Sequence, residues 1–150
     1  MGHGRLKITA MRPEDIQAVH ELEAGILSAW SREHLEEELK QPSGFQLVAL
    51  NEITEKVLAV LCGRIMADEA EILKLSVAEY ARKKGVGYQL LEFALSYCKK
   101  KGAQKCYLEL RASNKAARNL YEKRGFSKVG TRKNYYARPA EDAIMMQLAF

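Results

Sequence analysis

A run of basic residues and glycines, Arg82-Lys83-Lys84-Gly85-Val86-Gly87, lies between a predicted strand that ends at Val77 and a predicted helix. A helix N-terminus presents unpaired backbone N–H groups and the positive end of the helix dipole, so it attracts anions. Gly85 and Gly87 carry no Cβ, which lets the backbone turn tightly and approach a phosphate closely. With three cationic side chains beside it, the segment predicts a pyrophosphate site.

The alternative for this segment is a solvated basic loop whose glycines only make a turn. Two known phosphate motifs are excluded. A P-loop requires Gly-x-x-x-x-Gly-Lys-Ser/Thr, which the sequence lacks, and the dinucleotide fingerprint requires a third glycine where Leu90 stands. Strand, basic turn, glycines and helix in succession favour the anion site.

A second group of residues could move protons. Glu109 lies on a predicted strand between Leu108 and Leu110, and Asn114 and Tyr121 follow it. A carboxylate can accept a proton from an amine, and a tyrosine hydroxyl can donate one. The pattern alone favours plainer roles: an outward-facing Glu109, Asn114 as a helix cap, and Tyr121 in the core.

The composition is that of a globular protein. With 150 residues, 47% hydrophobic and 29% charged, we expect one domain over residues 1–150, with residues 1–4 read as an added tag. No apolar run is long enough to span a membrane, and no signal peptide is visible. Cys62, Cys98 and Cys106 lack metal-ligand spacing, so we expect reduced, mostly buried thiols in a cytoplasmic protein with no metal.

The formal net charge of +5 raises the question of nucleic acid binding. The basic residues interleave with Glu and Asp, and no aromatic platform or recognition motif appears. A polyanionic ligand or a ribonucleoprotein neighbour explains the surplus charge equally well. We therefore expect no direct contact with nucleic acid and no membrane association.

Helices and strands are predicted to alternate along the chain. A helix from Pro13 to Ile26 precedes a second one, which Ser31 caps and which continues through Leu39. A long helix follows Gly87 and ends near Lys101, and a short one ends at Gly125. A polar loop containing Tyr135, Tyr136 and Pro139 separates the last two strands. The seven predicted strands are residues 6–11, 45–50, 57–67, 70–77, 105–110, 126–132 and 143–149.

Trp30 stands between the first two predicted helices. It is either a core residue or the lip of a substrate groove, and the core role is the more common one.

The combined motifs resemble the Gcn5-related N-acetyltransferase (GNAT) superfamily: Arg-x-x-Gly-x-Gly after a strand, then Asn114, Tyr121 and Gly125-Phe126. Three further segments resemble the ribosomal-protein-alanine N-acetyltransferase (RimI) family. They are Leu108-Glu109-Leu110-Arg111-Ala112-Ser113-Asn114, Asn134-Tyr135-Tyr136 and Glu141-Asp142-Ala143-Ile144-Met145-Met146. The resemblance runs from the first strand to Leu148.

The resemblance implies an α/β fold, with a mixed, mostly antiparallel sheet of about seven strands flanked by about four helices. It also implies transfer of acetyl from acetyl-CoA to the N-terminal alanine of a small-subunit ribosomal protein, by a monomer or weak dimer. Glu109 would be the base and Tyr121 the acid. Residues implied to bind acetyl-CoA are Leu75, Ser76, Val77, Arg82, Lys83, Lys84, Gly85, Val86, Gly87, Tyr88 and Asn114. Those implied to line the peptide groove are Trp30, Tyr136, Glu141 and Asp142.

Two residues depart from the family pattern. Arg82 stands where glutamine is frequent, a harmless change for phosphate binding, and Ala29 replaces a proline often found before the tryptophan. The second change bears on the shape of the groove.

Two rival functions remain open. A related enzyme would acetylate lysine or a small amine, but a lysine side chain titrates about 2 units above an α-amino group and is harder to deprotonate. A module that binds CoA and docks on the translation machinery without turnover is the other rival, against which the presence of both Glu109 and Tyr121 speaks.

Overall fold

The computed structural model describes residues 5–150, so the tag expected at residues 1–4 lies outside the described residues. Its strands are β1 (Leu6–Ala10), β2 (Gly44–Asn51), β3 (Val57–Met66), β4 (Glu69–Val77), β5 (Lys105–Arg111), β6 (Ser127–Tyr136) and β7 (Glu141–Ala149). Its α-helices are α1 (Ile16–Leu22), α2 (Arg32–Leu39), α3 (Val86–Lys100) and α4 (Lys115–Arg124). No helix in this part of the chain is long and apolar enough to cross a bilayer.

The seven strands form one sheet in the order β1-β2-β3-β4-β5-β7-β6. All neighbouring strands are antiparallel except β4 and β5, which are parallel and are connected through α3. The expected mixed, mostly antiparallel sheet flanked by helices is confirmed.

Apolar side chains alternate along β2 and β3 and supply both faces of the sheet. Leu47 and Ala49 pack with the buried side of α3, whereas Val48 and Leu50 pack with α1 and α2. Because both faces are covered by helices, the central strands are buried on both sides and read as nearly continuous apolar runs.

Three predicted boundaries are wrong. The first α-helix ends at Leu22 instead of Ile26, because Gly25 and Ser28 adopt φ angles of 83° and 63° that a right-handed helix excludes. Helix α3 starts at Val86, two residues before the start expected after Gly87, since Gly85 itself caps it with φ of 81°. The polar loop expected before residue 143 is largely strand.

The extended hairpin at the end of the chain is the largest of these differences. Strand β6 continues to Tyr136 and pairs there with Glu141, the first residue of β7. Nearly all of β6 is exposed at the edge of the sheet. An exposed strand needs no apolar alternation, so the sequence pattern carries little sign of it.

The parallel strands β4 and β5 separate partway along their length. Their ladder starts at Glu69 and Lys105 and ends at Ile72 and Leu108, although both strands continue. A bulge on the β3 side adds Leu73 to β4 at the same level. Bulges bend a strand and redirect its side chains. The sheet therefore opens into a cleft between the ends of β4 and β5.

Candidate active site

The cleft between β4 and β5 has a volume of about 310 Å³. Its walls come from the two diverging strands, the segment between α1 and α2, helix α4 and the β6–β7 hairpin. The lining residues are Ile26, Leu27, Ser28, Trp30, Glu71, Ile72, Leu73, Lys74, Leu75, Ser76, Glu109, Leu110, Arg111, Asn114, Ala117, Tyr121, Tyr135 and Tyr136. Both proposed proton-transfer residues are therefore in one cleft.

Glu109 lies on the cleft face of β5, while Leu108 and Leu110 point to the core beneath α3. The pattern correctly indicated opposite faces, but this face is not open to solvent: the Glu109 side chain is only 22% exposed. Its Oε1 lies 3.2 Å from Nε of Arg132. Its Oε2 is buried and has no hydrogen-bond partner among residues 5–150. Unsatisfied buried carboxylate oxygens are rare and call for a ligand or a role in proton transfer.

Tyr121 reaches the cleft from α4, on the other side of the opening. Only 5% of the residue is exposed, and its ring packs edge-on against Phe126 at 5.6 Å. Its predicted place in the core is confirmed, and it lines the cleft as well. Burial raises the pKa of Tyr121 far above that of a free phenol, so its hydroxyl keeps its proton.

Two groups near Glu109, Glu71 and Tyr136, have raised pKa values. Partial burial and then the charge of Glu109 raise the pKa of Glu71, which stands at the exposed rim. The same two causes raise the pKa of Tyr136 on the hairpin. Charges of both signs line the cleft, negative on Glu71 and Glu109 and positive on Lys74 and Arg111.

The basic segment before α3 curves around the N-terminus of that helix. Lys83 and Gly85 adopt left-handed φ angles of 61° and 81°, so the chain turns twice within three residues. Such turns direct successive backbone N–H groups to one side, where an anion can bind. Lys83 and Lys84 are exposed beside it, whereas Arg82 donates from Nε to the carbonyl of Val77 at 3.1 Å. The Arg82 side chain thus ties the segment to the end of β4.

Gly87 and Asn114 have structural roles at these positions. A Cβ on Gly87 would lie 3.2 Å from Cγ2 of Val77 and 3.5 Å from Cδ2 of Leu120, so the glycine lets α3 pack closely on its neighbours. Asn114 caps α4 as predicted, its side chain accepting from the backbone N–H of Ala117 at 3.2 Å. Asn114 also lines the cleft.

The remaining predicted CoA contacts lie on β4 and α3. Leu75 and Ser76 line the cleft, and Val77 ends the strand beside Gly87. Past Ile72 the β5-facing edge of β4 has no strand partner, so its backbone groups are available to a ligand. Val86, the first residue of α3, is buried, and Tyr88 is half-buried with Lys123 Nζ 4.9 Å from its ring centre.

The four predicted groove residues separate into two pairs. Trp30 and Tyr136 line the cleft from opposite walls. Glu141 and Asp142 do not. Glu141 accepts from the backbone N–H of Ser113 at 2.6 Å, and Asp142 accepts from that of Asn134 at 2.9 Å. Their carboxylates hold the hairpin in place.

Arg111 is a site residue that the sequence analysis did not single out. It is 8% exposed and donates from Nε to Oγ of Ser28 and from a terminal nitrogen to the carbonyl of Pro139, each at 3.0 Å. Its guanidinium also lies 4.5 Å from the ring centre of Tyr136. Arg111 thus joins the α1–α2 segment to the β6–β7 hairpin. The signal available in the sequence was an arginine directly after the predicted strand that ends at Leu110.

No group of His, Cys, Asp and Glu suited to hold a metal ion occurs within residues 5–150. All three cysteines are unpaired and buried, as expected, and burial raises the pKa of the Cys62 thiol to about 12. A protonated, buried thiol is a poor nucleophile.

Comparison with known proteins gives the family. Residues 16–126 match the Acetyltransferase (GNAT) family. The chain is 37% identical over 139 residues to a Bacillus subtilis (strain 168) protein provisionally named ribosomal protein bS18-alanine N-acetyltransferase, covering 91% of this chain and 90% of that protein. Against the Escherichia coli (strain K12) ribosomal protein bS18-alanine N-acetyltransferase it is 38% identical over 95 residues, 62% of this chain and 64% of that protein.

The fold agrees with this assignment. The crystal structure of the Escherichia coli ribosomal-protein-S18-alanine N-acetyltransferase superposes with a TM-score of 0.87 at 28% identity, over 97% of this chain and 94% of that one. With a family match over most of its length and a relative similar along nearly all of both chains, the protein belongs to the acetyltransferase (GNAT) family, in its ribosomal-protein-alanine N-acetyltransferase (RimI) branch.

Proposed function

We propose that this N-acetyltransferase uses acetyl-CoA to acetylate the N-terminal alanine of a small-subunit ribosomal protein of the bS18 type. The observation that carries the proposal is the free Oε2 of Glu109, buried in a cleft that Tyr121 also lines. The relatives' names support the choice of acceptor, as does the resemblance of Asn134-Tyr135-Tyr136 and the segment from Glu141 to Met146 to the family.

The fit to acetyl-CoA rests on the chain's own geometry. The turn through Lys83 and Gly85 at the start of α3 suits a pyrophosphate. The unpaired edge of β4 suits the pantetheine arm and offers backbone N–H groups to the thioester oxygen. Removing one such donor typically costs about 3 kcal/mol of transition-state stabilisation.

The reaction then needs two proton transfers. The amine nitrogen attacks the thioester carbonyl carbon, a C–N bond forms and the C–S bond breaks. Glu109 Oε2 accepts the proton that the amine loses, directly or through one water, and Tyr121 donates its hydroxyl proton to the departing thiolate. Arg132 at 3.2 Å orients the other oxygen of Glu109.

The acceptor's acidity supports an α-amine. An α-amino group titrates near 8 and a lysine side chain near about 10.4, so deprotonating lysine costs about 3 kcal/mol more at neutral pH. A single carboxylate base suffices to deprotonate an α-amino group, whereas a lysine side chain is harder for it to deprotonate. As separate parts of the proposal, we infer a cytoplasmic enzyme that acts as a monomer or weak dimer, without direct contact with nucleic acid.

Two short peptides test the proposal. One has a free N-terminal alanine, and the other has a blocked N-terminus and an internal lysine; CoA release is measured with each. We expect turnover on the first only. Turnover on the blocked peptide or on a polyamine would assign the enzyme to side-chain or small amines. Acetyl-CoA binding without turnover on any acceptor would leave a CoA-binding module.

A further inference from the structure

A buried carboxylate lies directly behind the cleft wall. Glu23, the residue after α1, has no exposed surface. One of its oxygens pairs with Nζ of Lys74 and accepts from Oγ of Ser76 at 2.7 Å. The other accepts from the backbone N–H of Trp30 at 3.3 Å. Glu23 itself does not line the cleft, but its three partners do.

These contacts join two separate parts of the site. Lys74 and Ser76 lie on β4 past its separation from β5, and both line the cleft. Trp30 lies near the end of the irregular segment after α1, which contains two left-handed residues and is held by isolated turn hydrogen bonds, such as those from Ile26 N–H to the Glu23 carbonyl and from Ala29 N–H to the Ile26 carbonyl. Lys74 also places its Nζ 4.7 Å from the Trp30 ring centre, and Trp30 stacks on His34 at 4.0 Å.

The pair is an unusual choice for stability alone. Burying two charges costs desolvation that their attraction barely repays, and apolar pairs of similar size are often as stable or more so. What a buried ion pair with directional hydrogen bonds does supply is a fixed geometry. In this protein the ion pair and its hydrogen bonds fix Trp30, which lines the cleft wall opposite Tyr136.

We propose that the Glu23–Lys74 ion pair is a positioning device for the acceptor: it holds the Trp30 segment against β4 and so sets the wall along which the peptide lies. This rests on the proposed function for its kinetic consequences. Neither side chain is assigned a part in proton transfer.

Glu23→Gln tests the pair with the full-length enzyme, because the amide still accepts from the Trp30 N–H but leaves Lys74 without a counter-charge. We expect the KM for the alanine peptide to rise about tenfold or more, with the KM for acetyl-CoA changed less than about twofold. Trp30 is the only tryptophan in the chain, so its fluorescence reports the segment directly. We expect a shifted emission maximum and stronger quenching by acrylamide.

A matched control removes an exposed ion pair instead. Glu37 lies 3.6 Å from Lys40 on the surface of α2, and Glu37→Gln should leave both KM values and the Trp30 spectrum as they are. If Glu23→Gln fails to fold, the double variant Glu23→Gln/Lys74→Met removes both charges and leaves none buried alone. It should fold and show the same rise in peptide KM.

The proposal is overturned if a folded variant is less heat-stable but keeps the wild-type peptide KM and Trp30 spectrum. The ion pair would then contribute to stability alone. Equal losses for peptide and acetyl-CoA also overturn it, as general damage to the cleft. If the wild-type enzyme acetylates no alanine peptide, the proposed function fails by itself. The fluorescence comparison then still decides whether the pair positions Trp30.

Discussion

Glu109 and Tyr121 reach the same cleft from a strand and a helix, and each is partly or wholly removed from water. The burial has opposite consequences for the two groups. Glu109 keeps one oxygen without a partner among the described residues, which suits a proton acceptor. Tyr121 is held in its protonated form, which suits a donor. Three predictions concern these two residues.

Replacing Tyr121 with Phe should slow turnover about 100-fold, because no other hydroxyl is proposed to protonate the thiolate. The ring is kept, so packing against Phe126 and the affinity for acetyl-CoA should stay near wild type. Steady-state kinetics and calorimetric titration with acetyl-CoA measure the two effects. Unchanged turnover would remove Tyr121 from the acid role.

Replacing Glu109 with Gln should lower kcat/KM about 100- to 10,000-fold at pH 7, the usual range for a lost general base. The loss should shrink towards pH 9, because a free α-amine titrates near about pH 8 and then needs no base. Rates from pH 6 to 10 give the comparison. A loss of the same size at every pH would make Glu109 structural.

The wild-type enzyme should lack a fall in kcat on the alkaline side up to about pH 10, where a free tyrosine would begin to ionise. Burial disfavours the phenolate and so raises the pKa of Tyr121. The hydroxyl therefore stays protonated to a higher pH than a free tyrosine does. The pH profile of kcat, taken within the range where the fold is stable, measures this. A decline centred near pH 9 would contradict it.

Among the elements, the start of α3 is the one whose backbone shape bears on ligand binding. Gly85 caps the helix at φ of 81°, and no atom other than Nε2 of Gln89, 4.0 Å away, would contact an added Cβ. The cost of a side chain there is therefore conformational, roughly 1–2 kcal/mol for a left-handed residue.

Gly85→Ala should therefore raise the KM for acetyl-CoA about 3- to 10-fold, because the turn that directs N–H groups to the pyrophosphate relaxes. The KM for the peptide should change little. Gly102→Ala is the matched control: it has φ of 96°, has no atom within 4 Å of an added Cβ, and ends the same helix at the opposite end. Equal effects of both variants would rule out a specific role for the turn.

At the scale of the whole molecule, the two walls of the cleft come from distant parts of the chain. The α1–α2 segment precedes the central strands and the hairpin ends the sequence, yet Arg111 contacts Ser28 in the first and Pro139 in the second. A planar guanidinium can satisfy both contacts at once, whereas an ammonium cannot do so in the same geometry.

Arg111→Lys should thus raise the peptide KM about fivefold and lower the melting temperature by about 2–4 °C, leaving acetyl-CoA binding little changed. Arg118→Lys is the control, since Arg118 makes only an exposed contact with Glu122 on α4. Kinetics with each substrate and thermal unfolding supply the readouts. Equal changes in both KM values would indicate a general loss of structure.

The sequence alone determined the order of strands and helices, the glycine-containing turn before α3 and the family. These depend on features that are local in the chain: alternation of apolar residues, caps such as Asn114, glycines at turns, and motifs of fixed spacing. The same locality explains the errors, since the exposed strand β6 carries no apolar pattern and a helical stripe could accept either Leu22 or Glu23.

Only the tertiary structure decided which polar groups meet. The separation of β4 from β5 turned the outer face of a strand into a cleft, which covered Glu109 and left one of its oxygens without a partner in residues 5–150. The tertiary structure also brings Glu23 to Lys74, 51 residues later in the chain, and Arg111 to Ser28, 83 residues earlier. Contacts over such distances depend on how the sheet is closed and bent, which no local pattern encodes.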